Sequence, residues 1–205
     1  MNEFDRKART WDDDPAKADR ARRVADLIAA RVPILAGARV LEVGAGTGLL
    51  GFALRDRAGH VTLADGSPEM LGVAREKLRA TGPCNVDVVA LDLEAGSPPA
   101  GGFEVVCALL VLHHVADTDG LLRGLHHVLE PGGYLCLSDL EAEDGSFHGH
   151  GFTGHNGFDR GQLTRSLERA GFADVRFEPA FEIEKPVPGG GTRSFPAFLA
   201  IARRP

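Results

Sequence analysis

Short apolar runs alternate with segments of helical periodicity along most of the chain. Runs of this length, bounded by turn residues, are typical of buried strands. Strands that alternate with helices indicate a mostly parallel sheet that is covered by helices on both faces. The strands predicted in this part of the chain are residues 38–43, 60–65, 85–91, 103–110 and 133–140.

Capping residues mark the starts of the predicted helices. The first helix is expected from Pro15 to Arg31, because Asp14 can cap it and Pro15 suits the first helical position. A second cap is Ser67, which precedes Pro68. The remaining helices are predicted to begin near Thr47 and at Pro68, and to span residues 118–129 and 159–171.

The end of the chain departs from this alternation. Residues 172–187 and 193–204 have the pattern of strands, and the PGGG at 188–191 is typical of a hairpin turn. The chain is therefore predicted to end antiparallel. Before this hairpin, residues 141–158 show neither helical nor strand periodicity. Structureless segments longer than roughly 12–15 residues are usually either functional or disordered.

Composition and charge narrow the class of protein. A chain of 205 residues suits one domain, and its net charge of −6 with scattered Lys and Arg disfavours a nucleic-acid partner. The charged start lacks the apolar core of a signal peptide, and no run approaches the roughly 18 apolar residues of a membrane span. We therefore expect a soluble, cytoplasmic protein. The three cysteines form no CxxC pair, so neither a disulfide framework nor a cysteine metal site is expected.

The glycine-rich VLEVGAGTGLL at residues 40–50 predicts a nucleotide-type ligand. Gly44, Gly46 and Gly48 follow a predicted strand and precede a helix, where bare backbone can approach a ligand closely. A plain tight turn is the alternative. The third position of a dinucleotide fingerprint is occupied by Leu49, and the lysine of a P-loop is missing. Glu42, ahead of the loop, would repel a pyrophosphate but favours an ammonium group.

Two more acidic residues follow the ends of the next predicted strands. Asp65 is placed to accept from both hydroxyls of a ribose, and the alternative role of helix cap already belongs to Ser67. Asp92 could accept from an adenine amino group while the Leu93 N–H donates to the ring, although a solvated turn acid remains an equal alternative. Together with Glu42, these acids are expected to line the carboxyl edge of the sheet, where open parallel sheets bind ligands.

These motifs resemble the class I, Rossmann-like S-adenosylmethionine-dependent methyltransferases, in particular small-molecule enzymes related to ubiquinone and menaquinone biosynthesis. The resemblance covers nearly the whole chain and includes residues 40–48, 61–71, 88–94, 103–117, 129–140 and 157–177. It implies a doubly wound α/β sheet of seven strands, mostly parallel with the last strand antiparallel. Residues 1–205 would form one domain: a helical lid segment at 1–32, a cofactor-binding core at 38–140, an acceptor-side loop at 141–158 and a C-terminal part at 159–205.

The resemblance implies a role for each residue at a motif position. The loop would hold the methionine part of the cofactor, Asp65 the ribose and Met70 the adenine, while the end of the fourth strand borders the sulfonium. Phe4 and Trp11 would belong to the lid, and anchoring the first helix is the alternative role of Trp11. The expected cofactor-binding residues are Trp11, Glu42, Gly44, Ala45, Gly46, Asp65, Gly66, Met70, Asp92, Leu93, Leu109 and Leu110.

Histidines cluster where the methyl acceptor is expected, and the candidate catalytic residues are His155, His114 and His150. His113 and His114 follow the fourth strand, and a structural role for one of them is the alternative. His148, His150 and His155 lie in the segment 141–158 among three phenylalanines, which favours the wall of an acceptor pocket. A surface loop and a three-histidine zinc site remain the alternatives for that segment, and no metal is assigned.

The sequence therefore predicts an enzyme that transfers a methyl group from S-adenosylmethionine to an oxygen, nitrogen or sulfur atom of a small organic acceptor, leaving S-adenosylhomocysteine. A protein that binds S-adenosylmethionine without methyl transfer is the alternative from another class. Neither nucleic acid nor membrane is an expected partner, and the oligomeric state is left open.

Overall fold

The computed structural model describes residues 3–82, 85–91, 102–149, 151–186 and 190–205. Seven strands form one sheet in the order β3-β2-β1-β4-β5-β7-β6. All neighbouring strands from β3 to β5 are parallel, while β7 is antiparallel to both β5 and β6. The predicted α/β sheet of seven strands with an antiparallel last strand is thus confirmed. The strands are β1 Arg39–Val43, β2 His60–Asp65, β3 Val86–Ala90, β4 Phe103–Leu109, β5 Leu129–Leu140, β6 Ala173–Pro186 and β7 Thr192–Arg203.

Helices cover both faces of the sheet. Their bounds are α1 Glu3–Lys7, α2 Pro15–Arg31, α3 Leu49–Leu54, α4 Pro68–Thr81, α5 Thr118–Val128 and α6 Arg160–Arg169, with 3-10 turns at Ala8–Asp13, Leu35–Gly37 and Leu112–His114. None of the helices in the described part of the chain has the length and apolar character needed to cross a membrane.

Successive side chains of β1 pack on opposite faces of the sheet, which explains why the central strands are apolar on both faces. Val40 packs in one buried cluster with residues of α2 and α3, including Val24 and Leu50. Its neighbour Leu41 packs in a second cluster with residues of α5 and α6. Successive side chains of a strand point to opposite faces, so a strand buried on both sides must be apolar throughout.

The helix caps follow the predictions from the sequence. The Asp14 carboxylate accepts from Ala16 N at the start of α2, and Ser67 Oγ accepts from Met70 N at the start of α4. The largest boundary difference is at the start of β5. The strand β5 begins at Leu129 rather than at residue 133, because Leu129 pairs with Phe103 of β4 and the register then shifts before Tyr134 pairs with Val105. The hairpin turn predicted at 188–191 falls largely outside the described residues.

The order of the strands reverses between β1 and β4, since the chain first builds outward to β3 and then returns. At such a switch point the loops that follow neighbouring strands diverge and leave a crevice at the carboxyl edge. The glycine loop follows β1, and the 3-10 turn Leu112–His114 follows β4. The fold therefore brings the glycine loop and the first histidine pair to the same edge.

Candidate active site

The glycine loop takes a backbone conformation that requires glycine. Gly44, Gly46 and Gly48 all have positive φ angles, of 63°, 57° and 83°. A Cβ atom on Gly44 would lie 2.5 Å from Cγ2 of Val111, which lies two residues after the end of β4. The loop is therefore bare backbone pressed against the connection that follows β4.

Asp65, at the end of β2, closes the glycine loop. Its Oδ2 accepts from Gly46 N at 2.7 Å, and its Oδ1 accepts from Ser67 N at 2.7 Å. A carboxylate oxygen has two lone pairs, so each oxygen keeps acceptor capacity for a further donor. The carboxylate can thus fix the loop and accept from ligand hydroxyls at the same time.

Glu42 lies beneath the loop, with 3% of its surface exposed. Its Oε2 accepts from Gly51 N in α3 at 2.8 Å. Burial raises the pKa of Glu42 to about 8, with a smaller upward contribution from Asp65, while the hydrogen bond from Gly51 N lowers it. A carboxyl group in this environment gains from any cation that binds beside it, as the predicted ammonium group would.

The other residues expected to bind the cofactor lie around this loop. Ala45 N donates to Ala64 O at 3.0 Å, and the buried Met70 lies under Gly46. Gly66 is exposed, while Leu109 and Leu110 are partly buried at the end of β4. Leu110 has a φ of 57°, a strained conformation for a leucine of the kind often found at functional sites. Asp92 and Leu93 lie outside the described residues.

The N-terminal segment reaches over the loop through polar contacts that the sequence did not reveal. Thr47 Oγ1 donates to Asp12 Oδ1 at 2.6 Å, and Ser67 Oγ donates to Asp5 Oδ1 at 2.6 Å. Lys77 of α4 pairs with Asp12 and donates to Thr47 O at 2.9 Å. Each contact joins the segment to an element that borders the predicted cofactor position.

Two aromatic side chains extend the same segment. The Lys17 ammonium lies over the Trp11 ring, 3.7 Å from the ring centroid, and this cation–π contact is within the N-terminal part of the chain. The Phe4 ring lies 6.1 Å from Trp11 and 5.2 Å from His114. The segment therefore spans from the glycine loop to the histidines, and its role as a lid stays a prediction.

His155 fastens the 141–158 segment to the turn after β4. Its backbone N donates to His113 O at 2.8 Å, and its Nε2 lies 3.0 Å from Val115 O. A carbonyl oxygen only accepts, so Nε2 carries a hydrogen and only Nδ1 keeps a lone pair. The catalytic role of His155 stays a prediction, and the contacts give it an anchoring role as well. His150 lies outside the described residues.

His113 forms a buried pair that sequence reasoning missed. Its Nδ1 lies 2.7 Å from Oδ1 of Asp139, and both side chains are at most 2% exposed. The backbone N–H groups of His113 and Leu140 also donate to this carboxylate, at 3.2 and 2.7 Å. The available signal was the acid itself, because an aspartate that interrupts the apolar end of a central strand needs a buried partner.

His114 and His148 stand beside this pair. The centroids of their rings are 5.4 Å apart, and the ring of Phe152 stacks on His148 at 3.8 Å. Burial, together with the neighbouring imidazoles, lowers the pKa of both His114 and His148 to about 4. Both rings are therefore neutral near pH 7, with lone pairs available to a ligand.

The three histidines that the structure brings together differ from the set considered for a metal. Within the described residues, the group of ligating side chains is His113, His114 and His148. His155 points its Nε2 at a backbone carbonyl instead. The topology explains the difference, because the turn after β4 faces the start of the 141–158 segment.

Residues 40–133 match the family model described as a methyltransferase domain. The ubiquinone biosynthesis O-methyltransferase of Xanthomonas campestris pv. campestris (strain B100) is 38% identical over 123 residues, which is 60% of this chain and 51% of the relative. The chain therefore covers about half the length of such curated relatives.

Solved structures share the fold over nearly the whole chain. A chain of the Haloferax volcanii complex that contains the Trm112 methyltransferase activator aligns with a TM-score of 0.76 at 21% identity, covering 100% of this chain and 99% of its own. The [4+2]-cyclase SpnF aligns with a TM-score of 0.68 at 21% identity, covering 90% of this chain and 80% of its own. At this level of identity the similarity establishes the fold alone.

Proposed function

We propose that the chain is a class I S-adenosylmethionine-dependent methyltransferase, and that it transfers a methyl group from S-adenosylmethionine to a small organic acceptor. The observation that carries this proposal is the link between Asp65 and the glycine loop. One carboxylate holds Gly46 N in place and keeps lone pairs for a ribose, at the edge where the strand order reverses.

We propose an oxygen atom of the acceptor as the methyl-receiving atom. The support is the name of the curated relatives, which are O-methyltransferases at 38% identity over the matched part. The rings of Phe4 and Phe152 both lie edge-on to His114, at 5.2 and 5.5 Å, and suit an apolar or aromatic acceptor body. The net charge of −6 continues to disfavour a nucleic-acid substrate.

Methyl transfer is an in-line displacement. A lone pair on the acceptor forms the new bond to the methyl carbon, while the sulfur keeps the electrons of the broken bond and leaves as S-adenosylhomocysteine. Orienting two bound reactants can supply roughly 7–11 kcal/mol of the barrier reduction. The contribution of this chain is thus mainly positioning: the loop and Asp65 hold the donor, and the histidine edge faces the acceptor.

Asp65 provides the most direct test of cofactor binding. Calorimetry of the wild type with S-adenosylmethionine should show micromolar binding. Asp65→Ala should weaken it roughly 10- to 100-fold, because a hydrogen bond to a charged group contributes about 1.5–3 kcal/mol. Asp19→Ala, at an exposed acid in α2, is the matched control and should bind normally. No binding by the wild type would overturn the proposal.

The alternative is a protein that binds the cofactor without transferring its methyl group. One observation supports this alternative: the structure of a [4+2]-cyclase shares the fold. Incubation with S-adenosylmethionine and a panel of phenols, thiols and amines separates the two. Formation of S-adenosylhomocysteine with an acceptor supports methyl transfer, whereas binding without turnover across the panel supports the alternative.

His155 deserves its own variant because the structure gives it two roles. If its Nδ1 takes part in the reaction, His155→Ala should lower kcat by about 10²- to 10⁴-fold, the range for a general base. If it only anchors the segment through Val115 O, the same change should lower thermal stability and leave kcat within a few-fold. Measuring the melting temperature and kcat of one variant therefore decides the catalytic prediction.

A further inference from the structure

Three imidazole rings converge at the histidine edge. One ring nitrogen each from His113, His114 and His148 lies within 4.8 Å of the others. The ring centroids are 4.1 Å apart for His113 and His114, 5.1 Å for His113 and His148, and 5.4 Å for His114 and His148. The three rings thus form a compact triangle built from two separate parts of the chain.

Two of the three rings in this triangle have a ring nitrogen whose lone pair can bind a ligand. The Asp139 carboxylate, as an acceptor, keeps the hydrogen of His113 on Nδ1, so Nε2 retains its lone pair. His148 Nε2 is buried without a hydrogen-bond partner among the described residues. A buried polar atom without a partner is rare and costs free energy, so its position calls for a ligand that the protein itself does not supply.

The arrangement matches the way proteins hold transition metals. A ligating histidine generally donates its second ring nitrogen to a carboxylate, as His113 does to Asp139, and this fixes the ring orientation. Zinc lies about 2.1 Å from each histidine nitrogen in a tetrahedral site, which places the nitrogens roughly 3.4 Å apart. Movements of about 1 Å by each ring would bring the present triangle to that spacing.

We propose that His113, His114 and His148 bind a zinc-like divalent transition metal at the acceptor edge of the sheet. The charges that face the cluster suit this assignment. Asp139 lies directly behind His113, and Glu3 acts electrostatically on both His114 and His148, while Lys185 opposes it at His148. Three protein ligands leave a fourth coordination position for water or for a substrate atom.

The position of the cluster suggests what the metal does, and this step rests on the proposed function. The triangle follows the end of β4, beside the predicted sulfonium position. A hydroxyl bound to a metal ionises more readily than a free one. The acceptor proton would leave to water, and the oxygen lone pair would then attack the methyl carbon.

The test uses tag-free, chelator-treated protein and measures binding rather than turnover. Calorimetry with ZnCl₂ should show one ion per chain, and CoCl₂ should give the visible absorption of a tetrahedral site. His114→Ala and His148→Ala should each weaken Zn²⁺ binding at least tenfold. The exposed His127→Ala is the matched control and should bind as the wild type does.

Two outcomes would overturn the proposal. One is the absence of stoichiometric Zn²⁺ binding by the wild type, and the other is an equal loss in His127→Ala and the cluster variants, which would indicate surface binding. Melting curves establish that each variant is folded, and His114→Gln replaces His114→Ala if the latter unfolds. Because S-adenosylmethionine binding by the chelated protein is measured separately, failure of the metal site and failure of the proposed function are distinguishable.

Discussion

Replacing Glu42 with glutamine should stabilise the protein without its cofactor by up to about 5 kcal/mol at pH 9 and by almost nothing at pH 4. The reason is the burial that raises the pKa of this carboxyl to about 8 from its usual value near 4.5. Glutamine has nearly the same shape and keeps an oxygen that can accept from Gly51 N, but it never ionises.

The direction of the pH dependence follows from proton binding. Between pH 4.5 and 8 the folded chain holds a proton on Glu42 that the unfolded chain has released. Raising the pH through this window therefore favours the unfolded state, and the wild type loses stability that Glu42→Gln keeps. Below pH 4.5 both states are protonated, so the difference disappears.

Urea unfolding at several pH values measures this difference directly. Glu168→Gln is the matched control, because Glu168 is exposed on α6 and its replacement should change stability by less than about 0.5 kcal/mol. A constant offset between Glu42→Gln and wild type from pH 4 to pH 9 would contradict the argument. The residue that costs stability at alkaline pH is the one expected to bind the cofactor ammonium, a trade of stability for binding that functional sites commonly show.

The sheet was predictable because its signals are local. Each central strand is buried on both faces and must be continuously apolar, and each helix after it carries its own cap, such as Asp14 or Ser67. The extension of β5 back to Leu129 was not predictable in the same way. A proline and two glycines there indicate a turn, and only the pairing of Leu129 with Phe103 across a register shift shows that the strand begins before them.

The contacts around the glycine loop were more predictable than those around the histidines. Glu42 and Asp65 were identified from their positions at strand ends, and their contacts with the loop are consistent with those positions. The contacts of Asp12 with Thr47 of the loop and of Asp5 with Ser67 were not predictable, because they join residues more than 30 positions apart with no periodic signal. Exposed acids in a charged N-terminal segment look the same whether they bind the loop or only water.

The grouping of the histidines was also not predictable from the sequence. Spacing along the chain grouped His148 with His150 and His155, whereas the structure groups His148 with His113 and His114. An irregular segment has no fixed relation between sequence spacing and direction, so only its contacts with the turn after β4 decide the grouping. Asp139 was overlooked for a related reason, since its partner lies 26 positions away.

Gly157→Ala should destabilise the protein by about 2–5 kcal/mol and loosen the acceptor-side segment. Gly157 has a φ of 68°, and a Cβ atom there would lie 2.0 Å from the backbone oxygen of Glu141. This close approach accompanies the short pairing in which Phe158 N donates to Leu140 O at 2.9 Å. Gly157 therefore permits the tight packing of two backbones.

Gly149→Ala separates the two contributions to that effect. Gly149 lies in the same segment with a φ of 79°, and a Cβ atom there would meet nothing within 4 Å. It should therefore show only the left-handed backbone cost of roughly 1–2 kcal/mol. Thermal and urea unfolding of both variants measure the difference in their free energies of unfolding. Equal destabilisation would mean that the backbone near Glu141 moves aside and that the close contact adds no cost. A larger loss in Gly157→Ala, together with weakened acceptor turnover, would show that this pairing holds the segment and its His148 against the histidines that follow β4.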